Sequence, residues 1–148
     1  MEVGRSAMTA ERMETMPFIK PAIVLAMSAL AVPFALEAQT VPSAPNPVRG
    51  KQLFLQCQAC HTIAPGAPNA VGPNLSGVVG AKAASRPGYA YSPALSASGL
   101  NWNATSLDAF IKRPSQAVPG TKMTFGGIAD AKARGDIIAY LATLKGRN

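Results

Sequence analysis

Cys57-Gln58-Ala59-Cys60-His61 decides how the rest of the chain is read. Two thiols three positions apart stand about one helical turn apart, on the same side of the chain. They can add across the two vinyl groups on one edge of a porphyrin to give two thioethers, and C-x-x-C-H is the attachment signature of a c-type haem. The histidine that follows is carried beneath the macrocycle, where a ring nitrogen can bind iron. Three other readings compete for these residues. A thioredoxin-like redox pair needs a βαβ setting, and no strand–helix alternation follows. A zinc site wants four N, S or O ligands, whereas the chain offers two Cys, one His and few carboxylates after them. A plain disulfide would leave His61 incidental and would explain nothing about Met123.

His61 is the only histidine in 148 residues. Of six methionines, Met1, Met8, Met13, Met16 and Met27 fall in a segment expected to be removed, which leaves Met123. A single methionine is more often core filler than a ligand. Met123, however, follows the turn Pro119-Gly120 outside any apolar helical stripe, which favours a role as second iron ligand. Lys122, another lysine or water are the remaining candidates for that position.

The first forty residues differ in composition from the rest. Lys20 precedes the apolar run Ala22 to Ala35, which ends near small residues, the layout of a secretory signal peptide. Leu36-Glu37-Ala38 is the expected cleavage site and Ala29-Leu30-Ala31 the alternative; Met13 or Met16 is an alternative start. An uncleaved anchor fits less well, because Pro21 and Pro33 bracket a run shorter than the ~20 residues of a spanning helix. The expected organisation is therefore an N-terminal extension and signal peptide over 1–38, a linker over 39–46 and one domain over 47–148. Export agrees with the haem, which is attached outside the cytoplasm in bacteria, and places the mature protein in the periplasm.

Removing residues 1–38 takes basic residues from 14 to 11 and acidic residues from 7 to 3, a net charge of about +8, or about +6 with two ionised haem propionates. The basic residues are scattered singly, without the clustered, aromatic-interleaved face of a nucleic-acid binder. The charge fits a redox protein partner with an acidic docking patch, with Lys122, Lys112, Arg113 and Lys82 near the haem side. Contact with a membrane is expected only through membrane-bound partners.

Pro47 to Gln56 reads as a helix with proline in its first turn, with Val48, Leu53 and Phe54 inward. Prolines 65, 68 and 73 and glycines 66, 72, 77 and 80 make Thr62 to Gly80 an irregular loop. Thr105-Ser106-Leu107-Asp108 has the form of a capping box and opens a helix through Ile111 that ends before Pro114. Asp130 is a good N-cap for the last helix, whose buried stripe is Ile137, Tyr140, Leu141 and Leu144. Gly135 inside that helix suggests close packing against Gly50, or else an exposed and tolerated glycine.

Taken in order, these segments resemble one family, the class I cytochromes c of mitochondrial-like type. The resemblance runs from Gly50 to Leu144. It rests on Gly50-x-x-x-Phe54 before C-x-x-C-H, Gly72-Pro73-Asn74-Leu75-x-Gly77-x-x-Gly80, Pro87-Gly88-Tyr89-x-Tyr91-Ser92 and Trp102. Pro119-Gly120-Thr121-Lys122-Met123-x-Phe125-x-Gly127 and Arg134-x-Asp136-Ile137-Ile138-Ala139-Tyr140-Leu141 complete it. It implies an all-α cytochrome c fold, three to five helices and irregular loops around one covalent haem c. By the same resemblance Cys57 and Cys60 carry the haem, and His61 and Met123 are its axial ligands. The Pro73 carbonyl holds the His61 ring N–H, Tyr91 and Trp102 hydrogen-bond a propionate, and Thr121 belongs to the network around Met123. Unaided, Tyr91 and Trp102 could equally be core aromatics and Thr121 a turn residue. Three cavity positions depart from the pattern: Phe110 replaces a tyrosine near the methionine sulfur, Leu95 an asparagine, and Ala81 an arginine near a propionate. Gln56, Ser115 and Gln116 stand where relatives often carry docking lysines.

The expectation is a soluble periplasmic electron carrier between a quinol-oxidising complex and a terminal oxidase or other acceptor. With both axial positions filled it is not an enzyme and takes no small-molecule substrate. The alternatives are a haem enzyme or sensor with a labile sixth ligand, or a dedicated electron-transfer subunit of a dehydrogenase.

Overall fold

The computed structural model describes residues 43–144. The expected signal peptide and residues 39–42 of the linker lie outside the described residues. Among the described residues no helix is long and apolar enough to cross a membrane.

Six helical segments follow one another: α1 (Pro47–Leu53), α2 (Leu55–Gln58), α3 (Pro93–Ala97), α4 (Ala104–Lys112), α5 (Pro114–Ala117) and α6 (Ala131–Thr143). No strand occurs among the described residues; one isolated antiparallel bridge joins Lys82 to Asn101. Six exceeds the expected three to five only because the first helix is interrupted at Phe54, which separates α1 from α2.

Local chemistry sets the ends. Asn46 caps α1, its side chain accepting from the N–H groups of Val48 (2.9 Å) and Arg49 (3.2 Å), and Pro47 occupies the first turn. Asp130 caps α6 by accepting from the Lys132 N–H at 2.9 Å, as its position suggested. The α4 cap lies two residues earlier than expected. Asn103 and Ser106 form the reciprocal capping box, each side chain accepting from the other's backbone N–H at 2.9 Å. Asp108 is thereby released to pair with Arg134. Arg113 is extended ahead of Pro114, so α4 stops where the proline requires.

The core has two clusters. Phe54, Ile137, Tyr140 and Leu141 form one, with the Phe54 and Tyr140 rings 5.4 Å apart; Trp102, Leu107, Phe110, Val118, Ala83 and Ile138 form the other. The α6 stripe is therefore where its period put it, but Val48 is 71% exposed rather than inward. The reason is how α1 meets α6. Gly50 lies on the backbone of α6, and a Cβ there would stand 1.9 Å from the Asp136 carbonyl oxygen and 2.9 Å from Tyr140 Cβ. Backbone contact at one glycine replaces a broad apolar face. Gly135 does not make this approach; the nearest atom to a Cβ there is Pro45 Cγ, at 3.9 Å.

Ion pairs tie the helices together. Asp136, fully enclosed, accepts from the Asn46 N–H (2.7 Å), Arg49 (2.9 Å) and Lys132 (3.3 Å). The Asn46 hydrogen bond first, with help from Lys132 and Arg49 against desolvation, holds its carboxyl below the usual range. Arg134, 5% exposed, grips Asp108 (Nε 2.7 Å, Nη2 3.2 Å) and donates to the carbonyls of Ile128 (2.9 Å) and Ala129 (2.8 Å). Those bonds fasten the chain leaving the Met123 segment to α4 and α6.

Candidate functional site

α2 delivers the C-x-x-C-H motif. The Cys57 carbonyl accepts from both the Cys60 N–H (3.1 Å) and the His61 N–H (3.0 Å), so the helix tightens into a turn that carries all three side chains to one cleft. The following loop is clamped over it by Gly72 N–H to the Cys60 carbonyl (2.7 Å) and Leu75 N–H to the Thr62 carbonyl (2.9 Å). Asn74, 4% exposed, stiffens that loop by donating to the carbonyls of Ala64 (2.9 Å) and Ala67 (3.1 Å).

His61 Nδ1 lies 2.8 Å from the Pro73 carbonyl oxygen. A carbonyl only accepts, so Nδ1 carries the proton and Nε2 keeps its lone pair. Burial pushes the imidazole below its usual range, against the pull of Pro73, so the ring is neutral at pH 7. Gly72 forms a flat pad beside it: a Cβ there would be 2.3 Å from Cε1 and 2.6 Å from Nδ1.

Cys57, Cys60, His61, Pro73, Tyr91, Trp102, Thr121 and Met123 all line one cavity of about 270 Å³, which runs between the two core clusters. All eight expected site residues thus converge, although they span 67 positions from Cys57 to Met123. Met123 packs against the Trp102–Phe110 cluster, and its N–H donates to Thr121 Oγ1 at 3.4 Å. Phe110 is 8% exposed, with its ring 5.0 Å from that of Trp102; Leu95 and Ala81 also line the cavity.

The competing readings fare poorly against this geometry. Burial first, and then Cys60, push the Cys57 thiol up, opposite to the lowered values of thioredoxin-type cysteines. Among the described residues no group of three or more His, Cys, Asp or Glu side chains could hold a metal ion, as a zinc site would need. The lining does fit a flat apolar ligand with acidic arms. Two thiols, an oriented imidazole and a thioether line it among largely apolar walls. Among the described residues Lys82, Arg86 and Lys122 line the cavity and no carboxylate does. Among the described residues the indole N–H of Trp102 meets no acceptor, and Trp102 lines the cavity.

Two features escaped the sequence. Tyr89 donates its hydroxyl to the Val71 carbonyl at 2.8 Å, stands edge-on to Tyr91 at 4.8 Å, and lies beneath Lys122, whose Nζ is 4.3 Å from the ring centroid. The same Nζ donates to the Ala90 carbonyl. Lys122, expected as a docking cation, is therefore turned onto its own chain. The other is Arg86, a lone basic residue with no periodic signal, which the fold brings to the cavity wall.

A sequence model of the family described as "Cytochrome c" matches residues 47–145. The chain is 44% identical over 126 residues to the cytochrome c2 of Rhodomicrobium vannielii, covering 85% of this chain and 98% of that one. It is 47% identical over 100 residues to the cytochrome c2 of Rhodoblastus acidophilus, covering 68% and 94%. Among solved structures, cytochrome cH from Methylobacterium extorquens superposes with a TM-score of 0.63 at 48% identity, over 66% of this chain and 98% of its own.

Proposed function

The chain belongs to the cytochrome c family, and on that premise we propose that it is a soluble periplasmic one-electron carrier. One haem c would be held by Cys57 and Cys60 through two thioethers, with His61 and Met123 ligating its iron. When bound, the haem supplies an iron that alternates between ferrous and ferric states. The observation that carries the reading is the His61–Pro73 hydrogen bond, 2.8 Å, which fixes the tautomer and the ring direction a ligating imidazole needs.

The remaining work falls to the chain itself. Cys57 and Cys60 would hold the haem by adding their S–H bonds across its two vinyl groups, a balanced addition that would need no oxidant and leave no free thiol. Met123 would supply a neutral sulfur among largely apolar walls; both would disfavour the extra positive charge of the ferric state and so raise the potential. Thr121 and the Arg134 anchorage keep the Met123 segment in place. With His61 and Met123 both holding the iron, no place would remain for a substrate, which would separate a carrier from a haem enzyme or sensor. The basic surface steers an acidic partner by charge, between a quinol-oxidising complex and a terminal oxidase or other acceptor.

Isolating the mature protein tests this directly. Haem should stay on the polypeptide through denaturation and acid–organic extraction, and Cys57→Ser with Cys60→Ser should abolish holoprotein. Met123→Ala should remove the weak red absorption of Met-ligated ferric haem, lower the potential and admit cyanide or carbon monoxide. Haem that extracts freely from the wild type ends the reading. Wild type that binds carbon monoxide readily puts the sensor or enzyme class ahead.

A further inference from the structure

Arg86 is half-buried on the cavity wall, and its guanidinium is only partly used. Nε donates to the Asn74 carbonyl at 3.1 Å and Nη2 donates to the Ser76 carbonyl. Nη1 meets no acceptor among the described residues. No carboxylate among the described residues lines the cavity. The three acids of residues 39–148 are committed elsewhere, Asp108 to Arg134, Asp136 to Arg49 and Lys132, and Asp130 to the α6 cap with Arg49 at 3.9 Å. A half-buried cation without a counter-charge is unfavourable, so this wall asks for an anion.

The neighbours point the same way. Tyr91 shares the wall, and burial pushes its phenol up against the opposing pull of the Arg86 backbone N–H and guanidinium charge. Trp102, whose indole N–H meets no acceptor among the described residues, lines the same cavity. The backbone ahead of Arg86 is strained, with Ala84 at φ 58° in the left-handed region; strain of this kind persists where the surroundings over-determine a conformation. The other two basic wall residues are less suited. Lys122 is held by Ala90 and Tyr89, and Lys82 is exposed.

We propose that Arg86 binds a carboxylate arm of the haem together with Tyr91 and Trp102, supplying from segment 83–88 the guanidinium that Ala81 lacks. The proposal rests on the haem reading above. Two fixed nitrogens hold the planar fork rigid, so the remaining N–H groups are already aimed. The same fork grips the carbonyls of Asn74 and Ser76, on the loop whose Pro73 holds His61. One residue thus joins the acidic arm to the loop that orients the ligand.

The test uses purified holoprotein of wild type, Arg86→Gln, Ala81→Arg with Arg86→Gln, and Tyr91→Phe. The readouts are the midpoint potential and the pH of its redox-linked ionisation. Tyr91, Tyr89, Lys82 and Lys122 are the other titratable groups around Arg86 on the wall, and Tyr91→Phe separates the phenol from the carboxylate. Arg86→Gln should move the ferrous/ferric equilibrium roughly two- to tenfold toward ferric and raise the ionisation pH; the double variant should restore both. Loss of thermal stability in Arg86→Gln with potential and ionisation unchanged would make Arg86 a loop staple only and overturn the proposal. If Arg86→Gln gives no holoprotein, the double variant decides: wild-type values support the proposal and displaced values overturn it. Failure of the underlying haem reading shows earlier and separately, as wild type without covalent haem.

Discussion

Replacing Gly72 by alanine probes the wall behind His61 with one methyl group. The backbone at Gly72 is not left-handed, so alanine is allowed there and the effect is steric alone. The new Cβ would stand 2.3 Å from His61 Cε1, more than an ångström short of the 3.4 Å at which ordinary contact begins. The ring must tilt or the 72–75 loop must lift. Either movement breaks the 2.8 Å bond to Pro73, a loss of about 0.5–1.5 kcal/mol. Overpacking adds about 1–3 kcal/mol, so the variant should lose about 2–4 kcal/mol in all. Gly126→Ala is the control, since a Cβ there meets nothing within 4 Å and φ is not positive; it should be neutral or slightly stabilising. Guanidinium unfolding of the two holoproteins, followed by haem absorption, measures the difference. The potential of Gly72→Ala should also move, because a displaced ring changes the basicity of Nε2. Equal unfolding midpoints and equal potentials in the two variants would refute the argument that Gly72 holds His61 in place.

Gly50→Ala should be among the most damaging single-methyl additions, at least 2–3 kcal/mol by thermal unfolding, because the Asp136 carbonyl leaves no room at the α1–α6 contact. Asp136, whose carboxyl is held below its ordinary 3.8, contributes stability that is complete above about pH 4 and disappears as pH falls through its folded value. Unfolding curves of Asp136→Asn and wild type should therefore differ at pH 7 and converge in acid. Phe110→Tyr places a hydroxyl near Met123 in a packed aromatic pair; it should shift the potential and the pH at which Met123 is displaced while changing stability by less than about 1.5 kcal/mol. An identical potential and alkaline transition would show that the position only packs. Electron-transfer rates with an acidic partner should fall as salt rises and the Debye length contracts from about 10 Å at 0.1 M to about 3 Å at 1 M. Lys82→Glu should slow association more than Lys122→Glu does, since the Lys122 ammonium is engaged by the Ala90 carbonyl and the Tyr89 ring; equal slowing would return Lys122 to the docking face.

What could be read in the sequence depended on how closely chemistry restricts residue type. The C-x-x-C-H spacing is set by covalent geometry, and the α6 stripe by a period of 3.6, so both were legible without a structure. Pro73 was not, because every residue offers a carbonyl; only the resemblance named it. The α4 cap was misplaced because Asn103/Ser106 and Thr105/Asp108 both satisfy the capping pattern, and long-range pairing of Asp108 with Arg134 settles the choice. Val48 was misread because a backbone contact at Gly50 needs no wide apolar face. Arg86 and the Tyr89–Lys122 pair stayed hidden because their partners are main-chain oxygens and a ring 10 to 33 positions away, contacts that leave no periodic trace.

Tyr89 also has a mechanical meaning. Its hydroxyl is fixed to Val71, one residue before the glycine that faces His61, and its ring carries the lysine that precedes Met123. The two banks of the cavity are thus wired in series through one side chain that touches neither proposed ligand. Segments of a protein joined this way open as one cooperative unit rather than fraying separately. Amide exchange around Val71, Ala90 and Met123 should accordingly report a single opening event. Release of Met123 and slackening of His61, the two proposed ligands, would then share one gate, and its hinge pin would be a phenol at the surface.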